Sequence, residues 1–237
     1  TLGDLWIDFK CKAPYTNYYR ELDLSTAKAT ICYEQNGIKY RREVFVSQPD
    51  QVMVVRLTAD RRGALSFSCR MTRPEHYNTS CEDDQLIMQG SLDDGKGGTY
   101  LNYMARLKAL TKGGKVLYRG DSITISNADE VALLLSASTD YKLKYPQYKG
   151  RDYINLTRNA ISQAAKKSYN SLLKAHIKEY SSYFDRCTLS LCTRGDNLPT
   201  DQRITRIKNG AEDPHLCELI FQFGRYLLIS SSRPGTM

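Results

Sequence analysis

The chain has 237 residues, enough for one large domain or for one domain and part of another. Hydrophobic residues make up 41% and charged residues 25% of the sequence, which is ordinary for a globular protein. No run approaches the roughly 20 apolar residues that a membrane-spanning helix needs, so the sequence excludes such a helix and predicts no membrane partner.

The net charge of +8 raises the question of nucleic-acid binding. The excess is local, because residues 141–180 hold nine Lys or Arg and two acidic residues, a net charge of +7. We interpret this stretch as mainly helical, with its basic residues on a solvated face. No known nucleic-acid motif accompanies it, and we expect no aromatics to interleave with its basic residues as stacking platforms do. The sequence therefore predicts no nucleic-acid partner.

Residues 1 to about 140 are predicted to form β-structure. Segments that alternate in polarity or are rich in β-branched residues mark the strands: Leu5–Phe9, Thr26–Tyr33, Lys39–Ser47, Val52–Thr58, Leu65–Cys69, Tyr100–Leu110, Lys115–Tyr118, Ser122–Ser126 and Glu130–Thr139. Asn36-Gly37 and Gly113-Gly114 are predicted hairpin turns, because both positions of each pair tolerate positive φ. Some ten strands at short spacing predict a mainly β fold, a large antiparallel β-sandwich.

The period changes after Tyr141 to that of a helix. A single helical stripe is predicted from apolar and aromatic positions at three- and four-residue steps: Ile161, Ala165, Tyr169, Leu172, His176 and Tyr180. Asp152 is the candidate N-cap of this helix or of a short helix before it. Beyond it we predict a short strand at 188–192, a loop at 193–199 and a helix through Lys208 capped by Thr200.

Asp213-Pro214 predicts the start of a last helix, because a carboxylate cap is followed by proline where its missing N–H costs nothing. Its apolar stripe consists of Leu216, Leu219, Ile220, Phe223, Tyr226 and Leu227, and residues 230–235 end it. A single helix cannot bury so wide a face alone. We therefore expect its packing partners to lie outside this chain.

The seven cysteines do not indicate a metal site, and no metal is predicted. Cys187 and Cys192 lie five residues apart, unlike the two- to four-residue gap of zinc sites. We expect most of the seven to be buried thiols, while one or two disulfides remain open if the protein is exported.

The three histidines differ in context. His76 lies in a predicted loop beside Glu75, where ligand contacts concentrate, so it is a candidate substrate-binding residue. His176 is predicted to be packed on the helix stripe, and His215 to lie on the surface of a first helical turn. No nucleophile motif is present: Ser230–Ser232 lacks the Gly-x-Ser-x-Gly elbow. The adjacent carboxylates Asp83-Asp84 and Asp93-Asp94 are typical of exposed turns.

Several segments together resemble glycoside hydrolase family 95, the α-L-fucosidase and α-L-galactosidase family, over nearly the whole chain. They are Leu2–Leu5, Tyr19–Leu24, Arg42–Asp50, Ala137–Tyr141, the positions His176, Glu179, Tyr180 and Phe184, then Pro199–Asp201 and Phe221–Gly235. The last of these is the most specific.

The resemblance implies a β-sandwich at 1–145, a helical linker and returning strand at 146–199, and at 200–237 the first helix of a truncated (α/α)6 barrel. The chain would then be the front part of a larger enzyme, with the remainder of the barrel as its partner. By the same resemblance, we expect a secreted or periplasmic protein.

The resemblance also implies an exo-acting, inverting hydrolase of fucosylated oligosaccharides, with no metal or organic cofactor. A Glu acts as general acid there, while an Asp and paired Asn residues activate water. Those segments lie beyond Met237, so we assign no catalytic residue. Arg233, in the loop after the last helix, is a candidate substrate-binding residue or a buttress of that loop. An α-L-galactosidase and a non-catalytic carbohydrate-binding sandwich are the alternatives.

Overall fold

Twelve β-strands precede four α-helices in the computed structural model, which describes residues 2–11, 13–96, 98–191 and 198–233. The strands are β1 (Asp4–Phe9), β2 (Thr16–Asp23), β3 (Lys28–Gln35), β4 (Ile38–Ser47), β5 (Val52–Ala59), β6 (Leu65–Thr72), β7 (Tyr77–Glu82), β8 (Gln85–Asp93), β9 (Thr99–Lys112), β10 (Lys115–Arg119), β11 (Ser122–Ala128) and β12 (Glu130–Thr139). The helices are α1 (Tyr153–Ala164), α2 (Tyr169–Phe184), α3 (Thr200–Lys208) and α4 (Pro214–Ser231).

The strands form two antiparallel sheets that pack face to face. A four-stranded sheet has the order β1-β6-β11-β10, and an eight-stranded sheet has the order β2-β3-β4-β5-β12-β9-β8-β7. In β6, Leu65, Phe67, Cys69 and Met71 alternate with more exposed residues and line the core between the sheets. The predicted antiparallel β-sandwich is thus confirmed.

The central strands of the large sheet are buried on both faces. Val55 and Leu133 face the core between the sheets, while Val54 and Leu134 pack with Ile161 of α1 in a second cluster. Strands covered on both sides lose the alternation of polar and apolar residues. This explains the continuous apolar runs within β5 and β12.

The chain divides into two compact units, and the division falls within α2. Unit 1 comprises residues 1–21 and 29–176, and unit 2 comprises residues 22–28 and 177–237. In unit 2, the fully buried Tyr180 stacks on Phe184, and its hydroxyl donates a 2.8 Å hydrogen bond to the Leu24 carbonyl. Burial raises the pKa of this phenol to about 12, so it stays a neutral donor.

The two predicted hairpins have different outcomes. Asn36 and Gly37 both adopt positive φ and join the paired strands β3 and β4, as predicted. Gly113 and Gly114 also adopt positive φ, but the predicted hairpin is wrong, since β9 and β10 belong to different sheets. A Cβ on Gly114 would lie 2.3 Å from the Ser126 carbonyl oxygen, so close packing against β11 requires glycine there.

The helical region departs from the sequence prediction in three details. The single stripe is broken into α1 and α2, because Ser168 accepts a hydrogen bond from the Ser171 amide and starts a new helix. Pro199, and not Thr200, is the N-cap residue of α3. Residues 188–191 form no strand, and the end of the predicted strand at Cys192 lies outside the described residues, as does most of the loop predicted at 193–199.

The prediction of mostly buried cysteines is also wrong. Among the six described, only Cys69 is buried; Cys32 and Cys81 are partly buried, and Cys11, Cys187 and Cys217 are exposed thiols. Burial raises the pKa of Cys69 to about 12, which makes it inert as a nucleophile. None of the described helices is long and apolar enough to cross a membrane.

We expect Leu133→Ala to lower the free energy of unfolding by about 2–5 kcal/mol, because the fully buried side chain leaves a cavity between the sheets. Urea unfolding followed by circular dichroism measures the change. The matched control is Leu117→Ala on the exposed side of β10, which should stay within about 0.5 kcal/mol of the wild type. Equal losses in the two variants would contradict this account of the core.

Candidate functional site

His76, a predicted substrate-binding residue, lies in the short connection between β6 and β7. Its backbone adopts φ 52°, and its carbonyl accepts a 2.9 Å hydrogen bond from the Tyr103 hydroxyl. A Cβ on Gly90 of β8 would lie only 1.9 Å from the same carbonyl oxygen, so glycine is required there. The backbone of His76 is therefore held firmly against the sheet.

The His76 imidazole itself remains accessible. It is about half exposed (51%), and its Nε2 lies 3.8 Å from Glu75 Oε2, beyond hydrogen-bonding distance. A fixed backbone with an exposed ring can meet a ligand from solvent. The other two histidines match their predictions: His176 is buried and stacks on Phe45, and His215 is partly exposed in the first turn of α4.

The adjacent carboxylates that the sequence singled out serve local structure. Asp84 contacts Lys108 Nζ. Asp94 accepts hydrogen bonds from the Lys96 and Gly98 amides, and these bonds lower the pKa of its carboxyl. Among the described residues, no cluster of three or more His, Cys, Asp or Glu side chains could hold a metal ion.

Arg233, the other predicted substrate-binding residue, forms a two-pronged ion pair within unit 2. Its Nε lies 2.7 Å from Glu179 Oε1 and its Nη2 lies 3.2 Å from Glu179 Oε2. The exposed fractions of the two side chains are 14% and 19%, and the guanidinium also lies 5.2 Å from the centre of the Tyr183 ring. The pair ties Arg233, two residues beyond the end of α4, to α2, which agrees with the buttressing alternative. His76 and Arg233 belong to different units, so neither unit holds both.

Arg225 joins the same two helices and was not singled out by the sequence. It donates hydrogen bonds of 3.2 and 2.8 Å to the carbonyls of Tyr183 and Phe184, and of 2.6 Å to that of Cys187. The first two carbonyls lie in the last two residues of α2, where a cation is favoured by the helix dipole, and the third follows the helix. The one sequence feature that could have indicated this contact with α2 is the position of an arginine within an apolar helix.

The start of α4 is fixed by Asp213, as the sequence predicted. Its Oδ1 accepts a 2.9 Å hydrogen bond from the Leu216 amide. The guanidinium of Arg203 donates hydrogen bonds to Oδ1 at 2.6 Å and to Oδ2 at 2.8 Å. The hydrogen bonds to Arg203 hold the pKa of Asp213 at about 2, below its ordinary value of 3.8. This carboxyl is thus a structural cap that stays ionised.

The apolar stripe of α4 is only partly covered within unit 2. Leu216 is buried, and Tyr226 contacts Tyr180. Other large apolar side chains of the helix are exposed, namely Ile220, Phe221, Phe223, Leu227 and Leu228. A helix of this kind normally places such a face against another element.

A pocket of about 250 Å³ lies beside the start of α2 in unit 1. Arg56 there lies 2.8 Å from Glu130 and 3.3 Å from Glu43, while Lys112 lies 2.9 Å from Glu130. Lys167, also in its wall, pairs with Asp50 at 2.6 Å. Because these ion pairs satisfy the charges, the lining favours a structural role over ligand binding.

The basic stretch at 141–180 differs from its interpretation as a helix face. Four of its nine cations, Lys142, Lys144, Lys149 and Arg151, lie before α1 in a segment without helix. That segment, residues 141–151, also contains Tyr141, Tyr145 and Tyr148, and we refer to it as the tyrosine loop. Its tyrosines alternate with its lysines along the sequence, so the expectation that no aromatics interleave with the basic residues of this stretch is wrong.

Two family models match the chain. Residues 1–144 match the model described as "Glycosyl hydrolase family 65, N-terminal domain", and residues 168–237 match the model described as "Glycosyl hydrolase family 95 catalytic domain". The chain is 33% identical to alpha-L-fucosidase 2 of Arabidopsis thaliana, over 99% of the chain and 32% of that protein.

Two fungal proteins are similar over comparable lengths. The identity is 29% to the probable alpha-fucosidase A of Aspergillus niger, over 100% of the chain and 31% of that protein, and 27% to that of Aspergillus oryzae, over 94% and 32%. The chain thus spans about a third of the length of the curated relatives it matches.

We expect Arg233 and Glu179 to be energetically coupled, because their two-pronged pair is largely shielded from water. A double-mutant cycle with Arg233→Met and Glu179→Gln, measured by urea unfolding, should give a coupling energy of about 0.5–3 kcal/mol. The control is a cycle on Asp8 and Arg70, whose side chains are about half exposed and should couple by about 0–1 kcal/mol. A coupling no larger than the control would contradict a buttressing role.

Asp213→Asn should destabilise the chain at neutral pH, because asparagine keeps the cap but removes the carboxylate that accepts two hydrogen bonds from Arg203. A lowered folded-state pKa means that the carboxylate stabilises the fold above pH 4, and that this contribution is lost as the pH falls towards 2. The difference in Tm between variant and wild type, measured from pH 7 to pH 3, should therefore narrow on acidification. Asp121→Asn, at an exposed turn, serves as the control. A difference in Tm between Asp213→Asn and the wild type that stays constant or widens in acid would contradict the assignment of Asp213 as an ionised cap.

Proposed function

Because this chain belongs to glycoside hydrolase family 95, of which it forms the N-terminal region, we propose that it is the N-terminal portion of an exo-acting, inverting enzyme that releases terminal α-L-fucose from glycans. The observation that carries the proposal is the 33% identity, over 99% of the chain, to a plant protein named as an α-L-fucosidase. The match of residues 168–237 to the start of a family 95 catalytic domain supports an enzyme over an isolated binding module.

In this proposal the β-sandwich covers residues 1–145, the helical linker residues 146–199, and the first part of an (α/α)6 barrel residues 200–237. The first family match, which ends at residue 144, supports the first boundary. The exposed side chains Ile220, Phe223 and Leu228 of α4 would pack against further helices of the barrel. Burying them there would remove apolar surface from water, which favours assembly of the domain.

The chemistry would be carried by groups outside this chain. An inverting hydrolase needs a general acid on one side of the glycosidic bond and a water-activating base on the other, separated by roughly 6.5–9.5 Å. Two carboxylates of unit 2, those of Glu179 and Asp213, are both held in ion pairs by arginines. We propose that Arg233 positions the segment that follows α4 through Glu179, and that the exposed His76 remains a candidate contact for a bound glycan.

The test is hydrolysis of 2′-fucosyllactose and of a nitrophenyl α-L-galactoside by this 237-residue chain and by the longer protein that contains it. We expect the longer protein to release fucose, with the β-anomer appearing first by NMR, and the isolated chain to be inactive. A preference for the galactoside would make the enzyme an α-L-galactosidase. Activity of the isolated chain, or α-fucose as the first product, would contradict the proposal, and inactivity of both proteins would favour a carbohydrate-binding role.

A further inference from the structure

The tyrosine loop, residues 141–151, is closed by its own backbone. Tyr141 and Lys149 form an antiparallel bridge, the Lys142 amide donates to the Tyr148 carbonyl at 3.1 Å, and the Tyr148 amide donates to the Lys144 carbonyl at 2.9 Å. A loop whose ends are bonded to each other has a restricted backbone. Less conformational entropy is then lost when a ligand binds.

Asp140 anchors this loop to the large sheet. Its buried carboxylate accepts hydrogen bonds from the amide and the side chain of Asn102 in β9, at 3.0 and 2.7 Å. Its carbonyl accepts hydrogen bonds from the amides of Gly150 and Arg151 at 3.0 and 3.1 Å. The base of the loop is thus fixed to a central part of unit 1.

The loop carries a group of neighbouring tyrosine rings at the surface. The rings of Tyr141 and Tyr148 are parallel within 2° at a centroid distance of 6.4 Å, and Tyr145 meets Tyr148 edge-on at 6.2 Å. Tyr145 is 81% exposed, and Tyr100 of β9, under the Lys149 ammonium, adds a further exposed ring. Tyrosines give large, rigid contact areas with a polar tip at little cost in conformational entropy, which suits a recognition surface.

The charge of the loop is entirely positive. It contains Lys142, Lys144, Lys149 and Arg151 and no acidic residue. None of these four cations forms an ion pair with another described residue, and the flanking Asp152 is engaged as the N-cap of α1 through Asn155. The charge complement of such a surface is an anionic ligand.

We propose that the tyrosine loop is a binding site for an acidic glycan, at a place separate from the hydrolysis proposed above; only the choice of a glycan as ligand rests on the family. The sugar rings would lie against the exposed tyrosines, which offer apolar faces and hydroxyl groups side by side. Carboxylate or sulfate groups of the glycan would accept hydrogen bonds from the lysines and, in a two-pronged manner, from Arg151. Bases of a nucleic acid could stack on the same rings, but the membership of the chain in a glycan-hydrolysing family favours a glycan.

The test measures binding of the 237-residue chain to four probes by isothermal titration calorimetry at low salt. The probes are an oligogalacturonate, a sulfated dextran oligomer, a neutral cello-oligosaccharide and a single-stranded oligonucleotide of matched charge. We expect binding to at least one acidic glycan that weakens as salt is added, and little to the neutral one. Tighter binding of the galacturonate would identify a carboxylate ligand, and tighter binding of the dextran a sulfate ligand.

The charge-reversal variant Lys142→Glu/Lys144→Glu should weaken acidic-glycan binding by about tenfold or more, because it replaces attraction by repulsion. The control Lys39→Glu/Lys115→Glu changes the net charge equally, at exposed positions outside the loop, and should leave the affinity within about twofold. If both variants weakened binding equally, the net charge of the chain would explain the binding, and the proposal would be overturned. The proposal would also be overturned if the oligonucleotide or the neutral oligosaccharide bound more tightly than both acidic glycans.

Tyr145→Ala should weaken binding by about fivefold or more, while Tyr145→Phe keeps the aromatic face and most of the affinity. Because Tyr145 is largely exposed, neither change should affect the fold, and an unchanged circular dichroism spectrum verifies this. Tyr15→Ala, at another exposed tyrosine, is the matched control. Binding that is indifferent to Tyr145→Ala would overturn the stacking part of the proposal. These measurements do not involve hydrolysis, so their failure and that of the proposed activity are distinguishable.

Discussion

The register of β5 on β12, at the centre of the large sheet, is the constraint on which the rest of unit 1 depends. Apolar side chains cover both faces here, so polarity alone does not distinguish a strand slipped by one residue. An ion-pair network distinguishes the correct register from a slipped one. Arg56 lies directly opposite Glu43 on β4, and its guanidinium lies 2.8 Å from the carboxylate of Glu130 at the start of β12. These hydrogen bonds lower the pKa of Glu130, which therefore keeps its charge at neutral pH. A slip would leave partly buried charges unpaired, and this is costly.

On its other side, β12 pairs with β9, and this second register determines what the sheet presents at the end of β12. Once Thr139 is opposite Tyr103 on β9, Asp140 follows beside Asn102 and can accept its hydrogen bonds. The tyrosine loop is therefore held by the same strands that form the core. On the outer face, Val54 and Leu134 receive Ile161 of α1, so the helix that follows the loop is fixed by the same pair of strands.

The sequence was a good guide where a local pattern decides the structure. Asn36-Gly37 encodes a hairpin because its two neighbouring strands pair with each other, and Asp213-Pro214 encodes a helix start within four residues. Gly113-Gly114 has the same turn chemistry, but whether the next strand pairs with β9 or enters the other sheet depends on partners far along the chain. The Arg233–Glu179 pair could not be predicted for the same reason, since it joins residues 54 positions apart.

Electrostatics separates the charged groups that maintain the fold from those that can bind a ligand. The guanidinium groups of Arg203 and Arg233 each hold a carboxylate with two donors, so an anionic ligand would have to break that pair before gaining anything. The cations of the tyrosine loop have no carboxylate partner among the described residues, and Lys142, Lys144 and Arg151 are exposed, so an anionic ligand can reach them without breaking an ion pair. A strong ion pair is thus a sign of structure in this chain. The charges that carry recognition are the ones that the fold has left without opposite charges.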